Sequence, residues 1–162
     1  MIKIVSGGQT GVDQAALSIA KQRGIPLGGW VPKGGVDENG VCVYKQYPFL
    51  NETVTADPQE RTKLNIRDSD GTLVIVPTWP LSTKIKDGTY LTITESQHQN
   101  KPYLIIRLDK RENAIEQFRE WLAEHHVSVL NIAGPRESSC PGINKQAYEF
   151  LQEALELLKP AF

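Results

Sequence analysis

The 162-residue sequence predicts an α/β fold: a doubly wound, mainly parallel sheet flanked by helices. Three observations predict it. Short, nearly apolar β-branched runs recur along the chain, as strands buried on both faces require. Amphipathic helical patterns separate them. The turns leading from run to helix carry glycine and hydroxyl side chains.

The first run, Met1 to Val5, alternates and is β-branched, and it leads into SGGQTGVDQAAL, Ser6 to Leu17. From Asp13 to Gln22, Ala16, Leu17 and Ala20 stand at helical spacing, and Gly24 closes the helix. Leu27 to Val31 reads as a second strand, weakened by Gly28 and Gly29. Gly34 to Thr55 is one long irregular stretch containing Tyr44, Tyr47, Pro48 and Phe49, either a functional loop or the carrier of a hairpin. Beyond it, helical patterns over roughly 57–68, 90–99, 111–125 and 144–158 alternate with strands at Leu73 to Val76, Tyr103 to Ile106 and Val127 to Ile132. The last helix has Ala147, Phe150, Leu151, Ala154, Leu155 and Leu158 on one stripe. The sum is a sheet of five to six strands.

Length and composition predict a single domain over residues 1–162, with 40% hydrophobic and 23% charged residues, as in ordinary soluble chains. A net charge of −1 and a pI of 6.3 leave no excess of cations for a phosphate backbone, which argues against nucleic acid as partner. Cys42 and Cys140 are far apart with no histidine near either, against a zinc site and in keeping with a reducing cytosol. No leader and no membrane-spanning apolar run is visible, so a cytoplasmic protein is expected.

In such a sheet, ligands sit where strand carboxyl ends run into helix amino termini. Three of these ends carry glycine: Gly7, Gly8, Gln9, Thr10 and Gly11 after the first strand; Thr78 and then Gly88 and Thr89 after Val76; and Gly134, Pro135, Arg136 and Ser138 after Ile132. Glycine lets main-chain N–H groups approach a ligand, helix starts carry the positive end of the dipole, and hydroxyls add donors. The expected guest is phosphate or another tetrahedral oxyanion, with Arg136 in a charge-assisted contact and Asp13 orienting the first loop behind it. Neither GxxxxGK[ST] nor GxGxxG is present. Lys33 follows the second strand, as a further cation for the pocket or an exposed turn residue. The histidines at 98, 125 and 126 fall at helix ends, and Trp79 stands where it could flank a flat ring.

SGGQTGVDQAAL, the run from Arg61 to Leu73, the Gly88-Thr89-x-x-Thr92 step and Asn131-x-Ala133-Gly134-Pro135-Arg136-Glu137-Ser138 together resemble the molybdenum carrier protein family, over Ile2 to about Leu158. The resemblance implies a Rossmann-like fold related to the cytokinin-activating phosphoribohydrolases, formerly labelled lysine decarboxylases. It also implies a homo-oligomer, dimer or tetramer, that binds the molybdenum cofactor (molybdopterin) without transforming it and hands it to molybdoenzymes. On this reading Thr92 and Asn131 join the ligand site, and Arg67 reaches the ligand or a neighbouring subunit. Molybdate would satisfy the same donors. The metal arrives inside its own ligand, so no protein metal ligands and no catalytic residues are assigned. Two alternatives are a nucleotide phosphoribohydrolase and a nucleotide or ADP-ribose sensor. The related hydrolases carry PGGxGTxxE, and here Thr92 stands where that glutamate would be, with Glu95 one turn further on.

Overall fold

The computed structural model describes residues 1–85, 88–156 and 158. Its strands are β1 (Lys3–Val5), β2 (Leu27–Gly28), β3 (Trp30–Val31), β4 (Asn51–Glu52), β5 (Gly71–Val76), β6 (Tyr103–Arg107) and β7 (Val129–Ala133). The helices are α1 (Val12–Arg23), α2 (Val43–Gln46), α3 (Pro58–Arg67), α4 (Thr89–His98), α5 (Ala114–Glu124) and α6 (Ile143–Glu156). The main sheet has five parallel strands in the order β2-β1-β7-β5-β6 and is flanked by helices, a Rossmann-like arrangement. No described helix is long and apolar enough to cross a membrane.

Burial alternates along β5 between two cores. Leu73 and Ile75 join the larger one, with residues of α1, α5 and α6, while on the other side Val74 and Val76 cluster with Ile93 of α4 and with Leu81 and Ile85 of the chain before it. Phe118 and Phe150 are fully buried in the larger core, each contributing about 2–3 kcal/mol by removal of apolar surface from water. Helix ends follow local rules. Gly24 closes α1 in the left-handed conformation, and Asp57 caps α3, accepting from Gln59 N–H at 2.9 Å with Pro58 in the first turn. The predicted end of the last helix at Leu158 runs past the described end of α6 at Glu156.

The second predicted strand, Leu27 to Val31, is in fact two. Leu27 and Gly28 pair with β1, whereas Trp30 and Val31 pair with β4 in a separate two-stranded parallel sheet. The break is Gly29, at φ +127°, where a Cβ would stand 2.4 Å from the Ser6 carbonyl oxygen. Asn65 then replaces a neighbouring strand, its side-chain amide accepting from Trp30 N–H at 2.8 Å and donating to Trp30 C=O at 3.1 Å. The stretch from Gly34 to Thr55 carries an antiparallel bridge between Val36 and Cys42, then α2 and β4, over a small core of Leu17, Val31, Val43, Tyr47 and Leu50.

Candidate functional site

β7, last in sequence, lies between β1 and β5, so the loops leaving the three central strands share one rim. The chain leaves β1 through α1 toward one edge and β5 through α4 toward the other, which opens a crevice between them. The loops meet backbone to backbone. A Cβ on Gly11 would stand 2.3 Å from the Pro135 carbonyl oxygen, and one on Gly134 would stand 2.3 Å from that of Ile75. Two interlocks add to this: Val12 N–H donates to Pro135 C=O at 3.2 Å, and the Asn144 side chain to Gly11 C=O at 2.9 Å.

In the crevice is an open pocket lined by Gly7, Gln9, Asp13, Arg61, Thr62, Asn65, Gly88, Thr92, Asn131, Ala133, Gly134 and Arg136. Among the described residues its charged side chains are two guanidiniums and one carboxylate. Asp13, about nine-tenths buried, accepts from Gln9 N–H at 3.2 Å and lies 3.6 Å from Arg61, which ties it to the first loop. Arg61 donates to Gly7 C=O. Gly88 opens α4 without a side-chain cap, leaving the amino end of that helix at the pocket rim. Asn131 is held by its amide donating to Thr72 Oγ1 at 3.2 Å, and Thr92 donates to Gly88 C=O at 3.0 Å.

Thr10 and Ser138 have another occupation. The Glu38 carboxylate accepts from both hydroxyls and from Ser138 N–H at 3.1 Å. Gln9 Oε1 anchors the same turn, accepting from the Glu38 and Thr10 N–H groups at 2.9 and 3.0 Å. Asp37, beside it, accepts from the Gln14 amide and from Asn39 and Val41 N–H. An anion therefore does sit on these donors, but it is the chain's own. Burial pushes the Glu38 carboxyl up; hydrogen bonds from Ser138 and Thr10 and the nearby Arg136 charge outweigh this and hold it below its ordinary 4.5. A depressed carboxylate stabilises the fold fully above its unfolded value, and the contribution is lost as pH falls through the folded one. We expect amide-exchange protection at residues 37–41 and 138 to decline below about pH 4.5 in the wild type. The variant Glu38→Gln should show reduced protection already at neutral pH and no acid step. Equal protection in both proteins would remove Glu38 as the tether.

Of the sequence-predicted residues, Gly7, Gln9, Asp13, Gly88, Thr92, Asn131, Gly134 and Arg136 line the pocket, and Gly8 lines an adjoining cleft. Gly11 and Pro135 form the interlock behind it, and Thr89 is buried in the first turn of α4. Two residues lie elsewhere. Arg67 stands at the carboxyl end of α3, exposed and paired in a fork with Asp68 at 2.7 and 2.9 Å. Thr78 is exposed and lines neither cavity. Trp79 packs on Tyr90, ring centroids 5.5 Å apart, and is likewise absent from the lining. Lys33 lines the adjoining cleft. Lys86 and Asp87, which precede Gly88, lie outside the described residues.

Sequence reasoning missed Arg61 and Asn65, although both stand in the run from Arg61 to Leu73. The missed signal was helical phase: residues four apart share a face, about 40° apart, whereas Arg67, six from Arg61, points about 120° away. Glu95, the remaining carboxylate for a hydrolytic role, accepts from the Gln99 amide at 2.9 Å and does not line the pocket. Among the described residues no group of three or more His, Cys, Asp or Glu could hold a metal ion.

The circularly permutated YpsA SLOG family model matches residues 4–155. A crystal structure described as "Putative molybdenum carrier protein", from Syntrophus aciditrophicus SB, is 43% identical and superimposes with a TM-score of 0.87, covering 96% of this chain and 95% of that one. No curated protein matches.

Proposed function

Since the chain belongs to the circularly permutated YpsA SLOG family, we propose that it is a non-catalytic carrier, binding a small ligand through phosphate or oxometalate oxygens at the crevice pocket. The ligand on this reading is the molybdenum cofactor, with molybdate as a smaller guest of the same donors, and the name of the 43% identical protein supports it. The homo-oligomer and the molybdoenzyme acceptors belong to the same proposal.

The observation that carries it is electrostatic. In a chain of net charge −1, the described residues of the pocket gather Arg61 and Arg136 against one carboxylate, that of Asp13, beside the start of α4. A partly enclosed site strengthens each of these attractions relative to water. Guanidiniums, amides and main-chain groups suit oxygen anions, not a bare metal ion, so the metal is cargo held through its own ligand. Chemistry on the ligand has little support. Thr92 stands at the position of the hydrolase glutamate, and a hydroxyl near neutral pH replaces neither a general base nor a cation stabiliser.

Arg136→Ala should weaken binding of molybdate and of phosphate-bearing ligands by about tenfold to a hundredfold, the usual loss for a charge-assisted hydrogen bond. Isothermal calorimetry reads it, and an unaltered affinity would remove Arg136 from the site. Mass spectrometry and metal analysis of protein purified from its own host test the cargo. Release of free base from a nucleoside monophosphate would overturn the carrier in favour of a hydrolase.

A further inference from the structure

Between β3 and α2 the chain reaches over to the crevice rim and back. Residues 36–42 form a tight turn, closed by the bridge between Val36 and Cys42 and by Asp37 N–H donating to Val41 C=O at 3.0 Å. The Asp37 carboxylate finishes it, accepting from Asn39 and Val41 N–H at 2.9 and 3.1 Å. The turn therefore holds its own shape, whatever it leans on. Gly34, at φ +96° with nothing within 4 Å of an added Cβ, leads into it from open space.

What joins this turn to the rest of the protein is polar. Val36 and Val41 are 53% and 45% exposed, so the apolar side chains of the turn add little to hold it down. Its tethers are hydrogen bonds. The Gln14 amide of α1 donates to Asp37 at 2.8 Å, Glu38 N–H donates to Gln9 Oε1 at 2.9 Å, and the Glu38 carboxylate accepts from Thr10 and Ser138. Two residues serve both this tether and the pocket: Gln9, and Arg136, whose charge acts on Glu38. Glu38 borders the adjoining cleft and not the pocket itself. An oxyanion in the pocket and the Glu38 carboxylate thus draw on one guanidinium from two sides. Like charges so placed weaken each other's hold.

We propose that the turn is an anion-displaced latch: without a guest, Glu38 fastens residues 36–42 to the β1–α1 and β7–α6 loops, and an oxyanion bound beside Arg136 drives Glu38 off and frees the turn. This rests on the anion-carrier reading above and adds regulation of the same site to it, an internal competitor that sets the affinity. The coupling is reciprocal, so whatever loosens the latch tightens the anion by the same factor. A carrier has to release its cargo, and a carboxylate returning to Thr10 and Ser138 supplies the opposing force.

Calorimetry with inorganic phosphate and with molybdate, on the wild type and on Glu38→Gln, is the first test. The variant keeps an acceptor oxygen but no charge. We expect it to bind both anions about tenfold more tightly, as it would if the latch were closed roughly nine-tenths of the time in the free wild type. Amide exchange is the second test and needs no variant, so it decides alone if Glu38→Gln fails to fold. Saturating phosphate should speed exchange at residues 37–41 of the wild type while slowing it at residues 7–11. A carboxylate with a purely structural role gives unchanged or weaker anion binding in Glu38→Gln, or unaltered or slower exchange at 37–41 when phosphate binds. Either result overturns the latch and leaves the anion site standing. Binding by Glu38→Gln with none measurable in the wild type supports a latch that is closed more firmly. No binding of either anion by either protein overturns the anion-carrier reading, and the latch with it.

Discussion

Replacing Arg61 with alanine should cost about 3 kcal/mol of folding stability, because removing one partner of a mostly buried ion pair takes a counter-charge from the other. The Arg61 and Asp13 side chains are only 11% and 10% exposed, and their nearest atoms are 3.6 Å apart. Arg61 also donates to Gly7 C=O, so its loss takes a charge-assisted hydrogen bond from the first loop as well as a charge from the pocket. Asp13 keeps the Gln9 N–H but loses the guanidinium charge beside it. Asp13→Asn should restore part of the stability lost in Arg61→Ala, since the carboxylate charge that the guanidinium offset is gone. Urea unfolding of both single variants and the double variant measures the coupling. A loss below about 1 kcal/mol for Arg61→Ala, or strictly additive effects, would mean that the pair contributes no more than a surface salt bridge.

Gly11→Ala should be at least as damaging, for a different reason. The residue has φ +80°, and its Cβ would stand 2.3 Å from Pro135 O and 2.9 Å from Arg136 Cα. A backbone at φ +80° and ψ −128° alone costs an L-residue about 1–3 kcal/mol. The remainder is steric, since the contact is main chain on main chain and no side chain can rotate away. We expect a total loss above about 3 kcal/mol and a fall in anion affinity, because the β1–α1 loop is forced off the loop bearing Arg136. Gly40→Ala is the matched control. Its φ is +75°, but nothing lies within 4 Å of the added Cβ, so the variant should lose about 1 kcal/mol and bind as the wild type does. Equal losses in the two variants would show that the interlock of loops contributes nothing beyond backbone strain.

Much of the site was legible because it depends on local chemistry. Glycine-bearing turns at strand ends located the rim, and six residues chosen there, Gly7, Gln9, Asp13, Gly88, Gly134 and Arg136, line the pocket, as do Thr92 and Asn131, which the family resemblance added. Arg136 was found on charge and position. The failures are those of direction and of distant partners. Arg67 was preferred to Arg61 within one helix because spacing alone does not say which face looks inward. Thr10 and Ser138 read as donors for an external anion, yet Glu38, 28 and 100 residues away in sequence, occupies them. Leu27 to Val31 read as one strand because each half has strand-like residues. Its division at Gly29 depends on the close approach of Ser6 and on Asn65, which no local pattern contains.

By itself the sequence determined the element types, their parallel α/β arrangement and the chemistry of the turns, because periodicity, capping and glycine act over a few residues. Tertiary structure decided that β7 enters the centre of the sheet, that the face of α3 bearing Arg61 and Asn65 closes the crevice, and that Glu38 comes to rest on Thr10 and Ser138. Those outcomes rest on contacts between residues far apart along the chain, where packing and charge pairing choose among arrangements that local preference leaves equal.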